Sequence, residues 1–415
     1  MPCLLLPPPA NYHATSRSRL RSGPLRYGRQ TVLRGSAARL TVLPLTRLTF
    51  WLSLAVCIYA YIGYPVVLFL LRLVLHRPVR RKPFEPTVTL IIPAYNEAQH
   101  IAGKIRDSLQ LDYPAEKMEI LGVCHGSRDE TPRIAQGMAD GMRVRVLPFP
   151  ENRGKISTLN SGVREAHGEI VVFSDSTARL YPDSVRWLMT NFADPEVGAA
   201  SGHYTVIRAD EVGIGKSEDL YWKYETYLKV QESELDSVLG AHGHLHAIRR
   251  SLYPYPAPGT INDDYVIPVS VLAAGRRAVY ERRAIVYEEA REMTGFGRGM
   301  RVMAGNLQQL REIKGLLRPF RPLPLFFFLS HKVSRLLVPI AMVVALASNL
   351  MLISSPFYSV LFCMQAAFYM LAIAGSVLRL RPKLLLLPYY FSMINAAFFF
   401  GLYHTLTSRR YMAWK

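Results

Sequence analysis

The chain has 415 residues, enough for one large soluble domain plus membrane segments. Half of it is hydrophobic and 20 % is charged, a mixture that fits a folded domain fused to spanning helices better than either alone. The net charge of +19 is unevenly placed: no acidic residue precedes Glu85, while Arg17, Arg19, Arg21, Arg26, Arg29, Arg34, Arg39 and Arg47 all do. A basic excess fits nucleic acid, anionic lipid or a phosphorylated substrate. With apolar spans beside it and no aromatic-interleaved nucleic-acid module, lipid leads and nucleic acid is not expected. Cys3, Cys57, Cys124 and Cys363 are far apart, with neither metal spacing nor a disulfide framework, as in a reducing compartment.

In chain order, 1–47 reads as a basic leader rich in Pro, Ser, Gly and Arg, without periodicity and disordered. Residues 48–71 are uncharged and long enough for a span. Arg72, Arg77, Arg80, Arg81 and Lys82 follow it, which argues for a cytoplasmic catalytic domain; the Arg-rich leader argues the other way. From Thr87 to about residue 290, short apolar runs alternate with amphipathic stretches. Strands are expected at 88–92, 118–123, 143–147 and 170–173, and helices at 98–109, 155–166 and 183–192. This alternation implies an α/β domain with a mostly parallel, Rossmann-like sheet. Ligands of such sheets bind at the carboxyl ends of the strands. Residues 291–333 look interfacial, with Arg318 and Arg321 beside Phe320 and Phe326-Phe327-Phe328. Three more spans are expected within 336–406, at 336–354, 357–377 and 384–406.

The polar motifs fall at the strand ends. Pro93-Ala94-Tyr95-Asn96-Glu97 follows the first strand, and Cys124-His125-Gly126-Ser127 the second. Arg153-Gly154-Lys155, with Leu159-Asn160, opens a helix. Phe173-Ser174-Asp175 ends the fourth strand, with Thr177 two residues on. Ile261-Asn262-Asp263-Asp264 comes later, then Arg298 through Arg301 leading into Gly305-Asn306-Leu307-Gln308. Bland readings stand beside each motif. Asn96 would cap a helix, and His125 would be only a turn residue. Lys155 would lie in a solvated basic loop, and Asp175 would cap a strand end. Asp263 and Asp264 would open a helix over 266–272. The alternating His242, His244 and His246 invite a zinc reading, but no further ligand stands out.

In combination and order, these motifs resemble an inverting family 2 glycosyltransferase of the GT-A type, similar to the membrane-bound branch with poly-N-acetylglucosamine and cellulose synthase-like proteins. The resemblance implies a nucleotide-sugar donor, with a UDP-sugar leading. It implies a glycan or lipid-linked acceptor, contact with membrane lipid, and a product in extracellular or envelope polysaccharide. A multi-pass protein of the cell (inner) membrane is expected. Pro93, Tyr95 and Glu97 would then line the nucleotide pocket. His125 stands where the family has an Asp on the donor base; a neutral imidazole keeps hydrogen bonding there but not the charge. Lys155 would face the diphosphate. Asp175 would bind Mg²⁺ or Mn²⁺, although Thr177 replaces the second acid of the family's metal motif. Asp264 would be the general base, with Asp263 adjacent and raising its pKa. His242, His244 and His246 would lie in the floor of the acceptor site. Arg298 and Arg301 resemble the family's Gln-x-x-Arg-Trp element, with Arg301 toward the leaving diphosphate and Val302 in place of the Trp. The rival reading is a catalytically impaired nucleotide-sugar or glycan-binding membrane protein, motivated by His125 and Thr177.

Overall fold

The computed structural model describes residues 28–207, 215–289, 295–310, 316, 320–377 and 383–407. Residues 1–27 of the leader and Arg318 of the interfacial segment lie outside the described residues.

The chain enters through α1 (Gly28–Ile58), one wide π-helical turn (Tyr59–Gly63) and α2 (Tyr64–Val74). The stretch Leu43–Val74 is long and apolar enough to cross a membrane, and exceeds the expected 48–71 at both ends. Its large side chains Leu52, Ile62, Phe69 and Leu73 are exposed, as a lipid-facing surface requires.

β1 (Val88–Ala94) is buried along its whole length and forms the centre of one half of the sheet. Its side chains alternate between two cores. Leu90 and Ile92 pack with Ile101 and Ile105 of α3 (Ile101–Leu109), while Ile91 packs with Leu159 and Val163 of α5 (Lys155–Glu165). β2 (Met118–His125) and β4 (Ile170–Phe173) flank β1 in parallel, and β3 (Val144–Phe149) lies outside β2. The short α4 (Thr131–Gln136) leads from β2 to β3. The chain moves from β1 to one side and returns at β4 to the other, which opens a crevice at the carboxyl ends of these strands.

The other half of the sheet is mixed, a departure from the mostly parallel expectation. β7 (His246–Arg249) runs antiparallel to both β4 and β6 (Val197–Ile207). β8 (Arg277–Glu289) runs parallel to β6, with two irregularities in register, and carries the two-residue β5 (Arg179–Leu180) on its edge. The full order is β3-β2-β1-β4-β7-β6-β8-β5. α6 (Ser184–Thr190), α7 (Gly215–Leu235) and α8 (Asp263–Ala273) connect these strands.

α9 (Gly295–Gln309) leads back toward the apolar helices α10 (Pro322–Phe327), α11 (Ser334–Met351), α12 (Pro356–Val377) and α13 (Lys383–Thr407). Among the described residues three segments are long and apolar enough to cross a membrane: Leu43–Val74, Pro322–Met351 and Pro356–Val377. α13 is a helix at the place of the fourth expected span.

Charged groups dock the sheet domain on these helices. Glu232 of α7 is wholly buried and accepts hydrogen bonds from Tyr64 Oη at 2.7 Å and His331 Nδ1 at 2.6 Å. Glu225, about two helical turns earlier, pairs with Arg335 and lies 3.6 Å from His331 Nε2. Arg72 pairs with Glu234, Arg77 with Asp236 at 2.9 Å, and Arg81 with Glu281 at 2.9 Å. The basic stretch after the first apolar segment therefore holds the sheet domain. Removing one partner of a buried charged set strands the others and costs about 3–5 kcal/mol. Glu232→Ala is expected to lose stability on that scale in thermal unfolding of the detergent-solubilised protein, and a loss below about 1 kcal/mol would contradict this role.

Candidate active site

The crevice is built from strand-end turns that clasp each other. Pro93 is buried in β1, and the chain then turns at Asn96 with φ 55°, in the left-handed region that Asn tolerates. Four hydrogen bonds join this turn to the loop after β2. Asn96 N donates to Ser127 Oγ at 3.2 Å, Glu97 N to Thr131 Oγ1 at 2.7 Å, and Ala98 N to Asp129 Oδ2 at 3.1 Å. Arg128 N donates to Asn96 Oδ1 at 2.9 Å. Asn96 is therefore not the cap of α3, whose N-cap position is His100. Tyr95 and Glu97 are half-buried on the turn.

His125, the last residue of β2, is buried with its ring 4.3 Å from that of Phe149. Among the described residues neither ring nitrogen has a hydrogen-bond partner. Burial, with help from the Arg153 charge, pushes its pKa down to about 4, so the imidazole is neutral at pH 7. Gly126 has φ 61°, and a Cβ there would lie 2.2 Å from Asn152 N, so this turn has no room for a side chain. His125 lines a cleft of about 390 Å³ with Phe149, Arg153, Ser157, Arg164 and Tyr255. The Arg164 guanidinium lies 5.4 Å from the Tyr255 ring centre.

Lys155 opens α5 directly after Gly154, whose φ is 83°. Its Nζ lies 3.0 Å from Asp175 Oδ1 and 3.2 Å from Asp263 Oδ2. One ammonium thus joins the loop after β4 to the start of α8. Burial alone would lower the Lys155 pKa, but the charges of Asp175 and Asp263 outweigh it and raise it. Burial pushes the Asp175 carboxyl up, and Lys155 and His244 more than offset that, leaving it below the usual range. Asp264 goes the other way. Burial and the adjacent Asp263 raise its pKa above 3.8, only partly opposed by Lys155, Lys229 and Lys332. The Asp264 carbonyl accepts from Ala241 N at 2.6 Å, and Gly243 packs beside its side chain. Lys229 Nζ donates to Gly240 O at 2.7 Å and fixes that neighbouring turn.

The approach to Asp263 is held by α9. Gln308 Oε1 accepts from Ile261 N at 3.0 Å, and its Nε2 donates to Gly259 O at 3.0 Å. Asn262 Nδ2 donates to Asn306 Oδ1 at 3.2 Å, and a Cβ at Gly305 would collide with the Asn262 amide. Arg301 is exposed on α9, and no described contact brings it to the acidic centre. Arg298 lies in the same helix, with its side chain outside the described residues.

The three histidines pack among aromatic rings. His242 Nε2 is 3.2 Å from Tyr280 Oη; His244 stacks on Tyr204 at 4.1 Å; buried His246 packs on Phe173 at 4.9 Å. Among the described residues no three His, Cys, Asp or Glu side chains converge closely enough to hold a metal by themselves. Two further residues belong to the site that the motifs did not reveal. Buried Lys104 of α3 donates to Ser174 Oγ at 2.7 Å and Ala178 O at 2.6 Å, underpinning the Asp175 loop; burial lowers its pKa to about 7 despite the nearby Asp175 charge. Glu288 of β8 accepts from the Thr177 hydroxyl. Lys104 was legible only as one polar residue of an amphipathic helix, and Glu288 only as the first acid of a Tyr-Glu-Glu run.

The family model described as glycosyl transferase family 2 matches residues 89–254, from β1 to just past β7. An N-acetylglucosaminyltransferase of Rhizobium meliloti (strain 1021) is 26 % identical over 301 residues, 68 % of this chain and 70 % of that protein. The match to a second one, from Rhizobium sp. (strain N33), is 28 % identical and spans about half of each chain, 48 %. A poly-β-1,6-N-acetyl-D-glucosamine synthase of Staphylococcus aureus (strain COL) is 28 % identical over 134 residues, 32 % of each chain. Among solved structures, the mannosyltransferase PcManGT from Pyrobaculum calidifontis, in complex with GDP-Man and Mn²⁺, superposes with a TM-score of 0.65 at 21 % identity, covering 87 % of this chain and 100 % of that one. That likeness shows a shared GT-A fold. With the strand-end motifs assembled at one crevice, the sheet domain of this chain is a family 2 glycosyltransferase domain.

Proposed function

We propose that the protein is a membrane-bound, inverting glycosyltransferase. It moves a sugar from a nucleotide-sugar donor, a UDP-sugar by preference, to a glycan or lipid-linked acceptor at the bilayer, in the synthesis of an extracellular or envelope polysaccharide. The observation that carries the reading is the meeting of Lys155, Asp175 and Asp263 beside an Asp264 of raised pKa. The domain's docking on apolar helices supports an acceptor near the membrane. The Arg72–Lys82 stretch supports a catalytic domain on the cytoplasmic side of the cell membrane.

In this reading Pro93, Tyr95, Glu97 and the neutral His125 hold the nucleoside. Lys155 meets the diphosphate, and Arg298 and Arg301 of α9 are assigned to the side of the leaving diphosphate. Asp264 takes the proton from the acceptor hydroxyl. The hydroxyl oxygen bonds to the anomeric carbon from the face opposite the diphosphate, and the bond to the phosphate oxygen breaks, so the configuration inverts. A carboxylate with a raised pKa is the stronger base for this transfer. Asp263 raises that pKa and also steadies Lys155.

The donor set suits a divalent cation. Lys155 contacts Asp175 and Asp263 and so is already paired with carboxylates when a diphosphate brings further negative charge to the site. Asp175 is a buried carboxylate at the rim, and Mg²⁺ or Mn²⁺ needs only one or two such ligands when phosphates and water complete the shell. When bound there, the cation neutralises the charge that develops on the leaving diphosphate.

Nucleoside diphosphate release from a panel of nucleotide sugars, with the full-length protein in detergent, tests the reading. Turnover is expected with one donor class. Asp264→Asn is expected to lower it by about 10²–10⁴-fold with donor binding retained. Binding without turnover, unchanged by Asp264→Asn, would instead favour an impaired binding protein. The pH profile tests the Asp pair separately. Asp264 works deprotonated, so kcat/KM falls at low pH on a limb raised from the usual aspartate value. Asp263→Asn removes a like charge and is expected to move that limb to lower pH; an upward shift would contradict the assignment.

A further inference from the structure

The loop after β4 reads Asp175-Ser176-Thr177, one carboxylate short of two. In the structure a carboxylate reaches that loop from elsewhere. Glu288, near the end of β8, accepts the hydrogen bond of the Thr177 hydroxyl through Oε1. Its Oε2 is 3.3 Å from His244 Nε2 and 3.4 Å from Tyr204 Oη. Asp175 feels the charges of both His244 and Glu288. These contacts fix the position of Glu288 from three elements. The pairing of β8 with β6, which places Thr205 opposite Tyr287 and Val206 opposite Glu288, sets its register. The side chain is about four-fifths buried, so its charge is not held there as a solvated surface acid.

Deeper still, Lys104 ties Ser174 and Ala178 into one bracket around Asp175 and Thr177. The loop is therefore rigid at the point where Glu288 meets it. Burying an acid beside another acid costs energy unless cations compensate; Lys104 acts on both Asp175 and Glu288, and Lys155 is shared between Asp175 and Asp263.

We infer that Glu288 supplies the second carboxylate of the divalent-cation site opposite Asp175, replacing in space the acid that Thr177 replaces in sequence. This rests on the proposed nucleotide-sugar reading of the same site. The two carboxylates hold the ion from the loop after β4 and from β8, the Thr177 hydroxyl orients Glu288, and the diphosphate closes the shell. The chain then keeps its metal with a hydroxyl in the motif, and Thr177 is no sign of an impaired enzyme.

Mn²⁺ binding to the full-length protein in detergent, followed by the electron paramagnetic resonance of free Mn²⁺ with and without UDP or GDP, reads this without turnover. Glu288→Gln, which retains a partner for Thr177, is expected to weaken Mn²⁺ binding by about tenfold or more. Glu288→Asp, which keeps the charge but shortens the reach, is expected to weaken it less. Thr177→Asp added to Glu288→Gln is expected to restore binding, an outcome that a merely structural role for Glu288 would not give. Equal binding by wild type, Glu288→Asp and Glu288→Gln, with loss in Asp175→Asn, would overturn the role of Glu288 and leave the nucleotide-sugar reading standing. Wild type that binds the nucleotide but no Mn²⁺ would overturn the cation site itself.

Discussion

One ammonium group organises the crevice. Lys155 reaches Asp175, which ends the parallel half of the sheet, and Asp263, which opens a helix on the mixed half. Three carboxylates so near each other repel, and a buried cation between two of them lets that arrangement persist. The same cation sorts the acids by role. Asp175 is held ionised and below its usual pKa, while Asp264, one residue beyond the bridge, is left raised. Neighbouring carboxyls with pKa values driven apart are what a site needs to have one acid as an ionic ligand and another as a base.

The local parts of this arrangement were legible in the sequence. β1, β2 and β4 begin where their apolar runs begin, because a strand buried on both faces leaves a continuous hydrophobic signature. Lys155 was identified at a helix start and Asp175 at a strand end, and the structure brings them together with Asp263. Non-local features were not legible. The antiparallel insertion of β7 between β4 and β6 depends on tertiary pairing, and nothing in four residues from His246 to Arg249 states its direction. Asn96 looked like a helix cap, but its amide is used across the crevice on Arg128. Glu288 lies 111 residues from Thr177, and only the register of β8 on β6 brings them together. The Gly305–Gln308 motif was recognised, but its work, clamping 259–262 and so aiming Asp263, emerges only from its hydrogen bonds.

The apolar helices are part of the same construction. α7 places Glu225 and Glu232 against Arg335, His331 and Tyr64, and also carries Lys229, which fixes the Gly240 turn beside Asp264. A single helix thus joins the apolar bundle to the wall of the proposed acceptor site. Tyr64, Leu68, Phe327 and Phe328 pack into the same core as Ile91 and Leu159, so sheet and bundle share one hydrophobic interior. An acceptor bound at the bilayer surface would approach Asp264 from this side.

The most direct measurement is the dissociation constant of the nucleoside diphosphate product for wild type and Lys155→Met. If Lys155 is the cation that makes a centre of three carboxylates receptive to a diphosphate, Lys155→Met binds it more than about tenfold more weakly, a loss above about 1.4 kcal/mol. Unchanged or tighter binding would contradict the account, because the acids would then tolerate the diphosphate without the bridge.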